Sequence, residues 1–350
     1  MWNGLFVVAL AICLGLLLRW CFRALPNENW QILGCIPTSK QGPNLWKGLN
    51  ITYYGLIVSA AVVAATATVF VLMGSIRIPI GTTALMLILI LPVWALATKV
   101  VARLVEKKPH TFTIGGGTFV LLFITPASLW LTNVCLGSES GMQVPLLPFF
   151  AATAIAYTIG EGIGRLACIS FGCCYGKPIS QCGPLVRKMF GGHGFVFTGK
   201  TKKIAYESEL DEHEVVPIQA ITSSIHTVAG LAALVLYFNS AFYAALLVCV
   251  VTTQGWRAVS ETLRADYRGE GKISAYQIMA GITILFVVVP SLLVDVQSVM
   301  QPDLMTGLTM LWNPPMMLAL QGLGLGTFLF SGRSKVTEST VSFKVLVDRI

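Results

Sequence analysis

Charged side chains are scarce in this chain: Asp, Glu, Lys and Arg make up 11% of its 350 residues. A soluble domain carries about a quarter, so a water-facing globular surface is excluded, and the core must be built against lipid and neighbouring helices. Further absences narrow the reading. No Lys or Arg precedes the first apolar run and no small-residue cleavage site follows it, so Met1 to Leu18 reads as a retained helix rather than a removed signal. No recognition motif accompanies the basic residues, which are spread over loops, and this excludes nucleic acid as a partner. The nine cysteines form no secreted-type framework and contain no C-x-x-C pair. No internal repeat is present.

What remains is apolar. Hydrophobic residues make up 55% of the chain, and mean hydropathy is +0.74. After the first run, apolar spans cover roughly 52–74, 80–104, 113–136, 145–165, 217–238, 241–262, 274–296 and 313–331. Each is long enough to cross about 30 Å of hydrocarbon. The expectation is an all-α polytopic membrane protein with about nine transmembrane helices. It divides into an N-terminal helix over 1–24, a polar linker over 25–51 and a seven-helix core over 52–296. An extra helical segment over 297–331 and a basic tail over 332–350 complete it. Within the core, the connection 166–216 is long, mixed in composition and read as functional or as a small covering subdomain.

Charge sorts the loops. Nearly all the Lys and Arg, including Lys99, Arg103, Arg165, Arg257, Arg264, Arg333 and Lys335, fall on one face, and Arg77 stands alone on the other. The positive-inside rule puts that basic face at the cytoplasm.

The most informative stretch runs from Gly160-Glu161-Gly162-Ile163-Gly164-Arg165 through Cys168, Gly172, Cys173 and Cys174 to Tyr175-Gly176. An apolar helix needs neither a carboxylate nor a guanidinium to cross a bilayer, so Glu161 and Arg165 mark a functional site, the plainer alternative being a Gly-rich helix end capped by a snorkelling Arg. A second cluster, Arg257, Glu261 and Arg264, lies at helical spacings of four and three, with Arg268 extending the row. There Glu261 would fix a guanidinium, leaving the other donors for an anion, ideally a phosphate. Gly115 and Gly116 open a helix, where free amides favour an anionic headgroup or where small residues simply pack. Tyr53 and Tyr54 open another at the interface. Cys168, Cys173, Cys174 and Cys182 are spaced by five, one and eight residues, which matches no recognised zinc pattern, so no metal site is assigned. A thiolate beside Arg165 is chemically sound as a nucleophile, and close-packing small residues are the plainer alternative.

Taken in order, these segments resemble the prolipoprotein diacylglyceryl transferases, membrane enzymes that move a diacylglyceryl group from phosphatidylglycerol to a lipoprotein cysteine. The likeness spans about 50–296 and is strongest from Gly164-Arg165-Leu166 to Gly172 and Tyr175-Gly176. Arg257, Glu261, Arg264, Asp266, Arg268 and Gly269 match the family's late helix, Tyr54-Gly55 its early motif, Pro217 and Gln219 part of its His-Pro-x-Gln segment, and Gly115-Gly116 its His-Gly-Gly motif. The departures are Ile114 and Val216 where the family has His, Thr222 for a carboxylate, and Cys168, Phe171 and Cys173 for polar signature residues.

The resemblance implies a transferase acting on an anionic glycerophospholipid, phosphatidylglycerol, with a protein or small-molecule thiol as acceptor and no cofactor. Arg165 and Arg257 would hold the phosphate, Glu261 would orient Arg257, and Cys173 would act as nucleophile or base. Tyr54, Gly115, Gly116, Cys168, Cys174, Gln219, Arg264 and Arg268 would contact substrate. It also implies the bacterial cytoplasmic membrane and an outward-facing site, the reverse of the charge-based orientation. Two rival readings follow from the residues: a non-catalytic phospholipid-binding scaffold, favoured by Ile114, and a membrane thiol or metal protein built on 166–216.

Overall fold

The computed structural model describes residues 2–107, 113–140, 143–266, 273–291 and 300–350. Among the described residues, each of the nine apolar spans contains a helix. In chain order, α1 (Trp2–Ala24) leads into a hairpin of β1 (Ile32–Gly42) and β2 (Leu45–Thr52). Then come α2 (Tyr53–Ser75), α3 (Ile80–Glu106), α4 (Ile114–Ser140) and α5 (Leu146–Phe171). The long connection holds α6 (Pro184–Phe190), β3 (Phe195–Val196), α7 (Lys203–Ser208) and β4 (Glu214–Val215). After it run α8 (Ile218–Phe238), α9 (Phe242–Leu263), α10 (Ala275–Ser291), α11 (Leu304–Leu311), α12 (Pro314–Ser331) and β5 (Arg333–Ser342). Seven of the helices, α1 to α5 with α8 and α9, are long and apolar enough to cross a membrane; α10 is a shorter apolar helix. The protein is an all-α polytopic membrane protein with small sheets at its margin.

Helix α5 is the axis of the bundle and packs on α2, α8 and α9. Small residues permit the close approach. A methyl on Gly160 would meet Ala65 of α2, and one on Gly230 of α8 would run into Ile159. Ser223 of α8 donates to the Gly162 carbonyl at 2.6 Å, a buried interhelical bond. Apolar side chains fill one half of the bundle, from Val69 to Met73, Phe149 to Ile159 and Ala233 to Leu246. The C-terminal halves of α5 and α9 instead carry the polar groups.

The connection 166–216 has a core of its own. Ile169, Tyr175, Phe197, Ile204 and Val215 are buried together against Leu18, Cys21 and Leu25 at the end of α1. Lys202 is buried within it and donates to the carbonyls of Ser170 at 2.7 Å and Leu25 at 3.1 Å. Desolvation lowers the Lys202 ammonium to about 8. The connection also pairs with the end of α9: Lys177 N–H donates to Leu263 at 2.9 Å and Ala265 N–H to Tyr175 at 3.1 Å.

The stretches read as linker and tail are strands. β1, β2 and β5 form an antiparallel sheet in that order, with Leu45 opposite Ser342 and Ile51 opposite Arg333. The sheet ties α12 to α2. Thr52 donates its amide and hydroxyl to the Gly332 carbonyl at 2.9 and 3.0 Å, and Ser59 donates to Gly324 at 2.6 Å. The segment 297–331, read as one further helix, contains α11 and α12, separated at Trp312 and Asn313; Asn313 caps α12.

Candidate functional site

A cavity of about 460 Å³ opens among α2, α3, α4, α5, α8 and α9 at their polar ends, with α7, α12 and β5 also contributing to its lining. Eight cations and three carboxylates line it: Lys99, Arg103, Arg165, Lys203, Arg257, Arg264, Arg333 and Lys335 against Glu161, Glu261 and Asp266. The excess of cations gives the lining a positive potential, which favours anions.

Glu161 sits at the centre. One turn along α5, Arg165 donates to one of its carboxylate oxygens. Arg257 reaches it from α9, with Nη2 3.0 Å from both oxygens and 2.7 Å from the Tyr157 hydroxyl. Tyr157, one turn before Glu161, donates its own hydroxyl to the carboxylate. Glu161 and Arg257 are buried and Arg165 and Tyr157 half-buried, in surroundings where a lone charge is expensive and a shared one is tolerated. One carboxylate between two guanidiniums leaves a net positive charge facing the cavity. Gly115 makes the arrangement fit, since a methyl there would overlap the Arg257 guanidinium.

Helical spacing within α9 points to Glu261 as the carboxylate on Arg257; the structure puts Glu161 there. Glu261 lies 3.9 Å from Arg264. Arg264 is not on the helix but in the extended residue that ends it, where it forms a two-pronged pair with Asp266 at 2.7 and 2.6 Å. Arg268 lies outside the described residues. Gly116 faces away from the cavity, against Val101 of α3, where a methyl would collide.

The thiols come together through a helix ending. Gly172 adopts φ +71 after α5, its N–H bonds to Ile169, and the Cys173 N–H returns to the Cys168 carbonyl at 3.0 Å. This closure folds the residue after the glycine back over the last turn. Cys174 is also left-handed, at φ +57, and continues the reversal. The three sulfurs end within 4.8 Å of one another and all line the cavity. Arg165 Nη1 is 3.6 Å from the Cys174 sulfur. Hydrogen bonds from the other two thiols, then Arg264 and Arg165, hold the Cys174 thiol well below its usual range. Cys182 is buried elsewhere, donating to the Pro178 carbonyl.

Tyr54 lines the cavity and packs its ring 5.6 Å from Phe171. Gln219 donates to the Cys173 carbonyl at 2.7 Å, and its Oε1 is buried with no partner among the described residues. The same holds for both ring nitrogens of His226, whose Nδ1 lies 4.0 Å from Glu161. No sequence motif marks His226 or Tyr157. An isolated polar residue in each apolar span was the available signal. Ile114 lines the wall beside Gly115.

The chain matches the family description of prolipoprotein diacylglyceryl transferase over residues 43–293, most of its length, and belongs to that family. No curated protein and no solved structure matches it. The family comprises membrane transferases acting on lipid donors and lipoprotein substrates. The match leaves α1, β1, α11, α12 and β5 outside it.

Proposed function

We propose that this member of the prolipoprotein diacylglyceryl transferase family moves a diacylglyceryl group from phosphatidylglycerol to a thiol acceptor in the bacterial cytoplasmic membrane. The observation that carries the reading is Glu161 held between Arg165 and Arg257 at the wall of a cationic cavity. The donor's phosphate lies against the two guanidiniums, with Tyr54 and Gly115 bounding the glycerol and Arg264 near the thiols. The acceptor's thiolate attacks the glyceryl carbon, the bond from that carbon to the phosphate oxygen breaks, and glycerol phosphate leaves. Charge develops on the departing phosphate, where preorganised arginines stabilise it without rearranging. Glu161 positions both arginines and takes the orienting part first expected of Glu261.

In place of the role expected of Cys173, Cys174 is the thiol within reach of Arg165, while the Cys173 carbonyl holds Gln219. The cavity face is outward, as in the family, so that exported thiols reach it, and its basic rim gathers anionic lipid.

Ile114 supports a second reading, a lipid-binding scaffold without turnover, because a hydrocarbon side chain cannot carry a proton. Liposomes containing labelled phosphatidylglycerol, the purified protein and a panel of thiol and hydroxyl acceptors separate the two. Glycerol phosphate release that disappears in Arg165→Ala supports the transferase. Tight lipid binding with no release from the unaltered protein replaces it with the scaffold.

A further inference from the structure

We propose that Cys168, Cys173 and Cys174 form a three-thiolate site for one zinc ion, with its fourth position open to the cavity and taken by the acceptor thiol. The metal site stands on its own geometry; the role of the fourth position rests on the transferase reading.

The sulfurs lie within 4.8 Å of one another. Tetrahedral zinc with bonds of about 2.3 Å sets its sulfurs roughly 3.8 Å apart, so a contraction of an ångström or less closes the cluster. The backbone beneath is set by the Gly172 turn and by Gln219 on the Cys173 carbonyl, so the cluster is built by the fold rather than by chance rotamers. Three thiolates around a dication carry a net single negative charge. Arg165, 3.6 Å from the Cys174 sulfur, is the cation placed to offset it. Thiolate ligands select zinc or cuprous copper over magnesium or calcium. Zinc is chosen here because three protein ligands and one open position form its catalytic arrangement.

The chemistry answers a deficit of the site. Attack on the glyceryl carbon needs a thiolate, and Ile114 offers no base. A thiol that coordinates zinc is deprotonated outright. The acceptor R–SH would bind, its proton would pass to water at the cavity mouth, and the zinc-held sulfur would form the new carbon–sulfur bond. The carbon–oxygen bond electrons leave with glycerol phosphate, the thioether dissociates, and zinc is neither oxidised nor reduced.

The test uses full-length protein in detergent, purified without chelator. Bound zinc is measured, then replaced by cobalt. One zinc per chain is expected, with a sulfur-to-cobalt charge-transfer band that grows when N-acetylcysteine methyl ester is added. Each of Cys168→Ser, Cys173→Ser and Cys174→Ser should lower zinc occupancy at a fixed concentration by about tenfold or more, against the ten- to hundredfold typical of lost second-shell contacts. Cys182→Ser should leave occupancy unchanged. Protein that binds neither zinc nor cobalt, or a Cys168→Ser/Cys173→Ser variant that keeps its zinc, overturns the site. Glycerol phosphate release that survives chelation overturns the metal's role and leaves the transferase standing. Zinc bound with the thiol-dependent band change, but no release under any condition, sinks the transferase reading and keeps the site.

Discussion

A single nitrogen of Arg257 lies 3.0 Å from both carboxylate oxygens of Glu161, although the two residues are 96 apart in the chain. The link joins α5 to α9 and leaves the second guanidinium, Arg165, on the same acid. Removing the carboxylate leaves the buried Arg257 and the half-buried Arg165 facing each other without it. Glu161→Gln keeps the shape and loses the charge, so turnover of labelled phosphatidylglycerol should fall by about a hundredfold or more through kcat. The fold should lose roughly 3–5 kcal/mol in the same variant. Added inorganic phosphate should raise the Tm of the variant more than that of the parent, because it replaces the missing anion. Unchanged turnover would rule out the positioning role.

Gly115→Ala should weaken donor binding by about tenfold, since its methyl displaces the Arg257 guanidinium, a cost of order 1–3 kcal/mol for overpacking. Gly164→Ala is the comparison, because a methyl there meets only Ala61 at 3.8 Å. Lipid affinity measured on both variants should differ; equal values would remove Gly115 from the argument.

The rim contributes by charge alone. Arg333 and Lys335 are exposed at the mouth, and each basic group near an anionic surface contributes about 1 kcal/mol. Arg333→Ala/Lys335→Ala should reduce the preference for anionic over zwitterionic lipid by about tenfold at low salt. The difference should shrink as the Debye length falls to about 3 Å at 1 M. A salt-independent loss would mean that the strand, not the charge, was damaged.

The junction of α2 with α12 admits no side chain. A methyl on Gly55 would fall on the Gly332 backbone, so Gly55→Ala should cost about 1–3 kcal/mol and lower the Tm in detergent. Gly81→Ala, where the added methyl meets open space in α3, should leave the Tm unchanged or raised.

Lys202 makes the covering connection sensitive to pH. Its folded value of about 8 lies below the ordinary 10.5, so between these the unfolded chain holds more protons. Stability should therefore rise as pH climbs from about 8 to 10.5, with the cost of the buried charge fully present below 8. Thermal unfolding across that window should show the rise, and Lys202→Met should flatten it. A slope that persists in the variant would assign it to another group.

The membrane helices were legible because long apolar runs need nothing beyond their own length. The sheet was not, because its strands, though 8 to 11 residues long, carry no regular apolar alternation. In β5 the half-buried positions are Ser334, Thr337, Ser339 and Val341, while Val336 is exposed, so no apolar stripe marks the strand and it reads as a tail. The carboxylate on Arg257 was misassigned for a related reason: helical spacing compares residues on one helix, and Glu161 arrives from another. The thiols show the limit most clearly. Spacings of five and one resemble no metal motif in a linear reading, yet a left-handed Gly172 folds position 173 back onto position 168. The signal, a glycine four residues after the first cysteine and one before the next, was present as a helix-ending rule rather than a ligand rule.

Strand β5 follows every membrane helix in the chain, yet it supplies one wall of the cavity mouth. During synthesis the acid and its two arginines are therefore in place while that wall is still missing. The site is assembled from the inside outward, and its entrance is finished only after the strand has emerged and paired with β2. A ribosome that stalls between α10 and β5 would leave a doorless pocket in the bilayer, with its inner charges in place and Arg333 and Lys335 missing from its mouth.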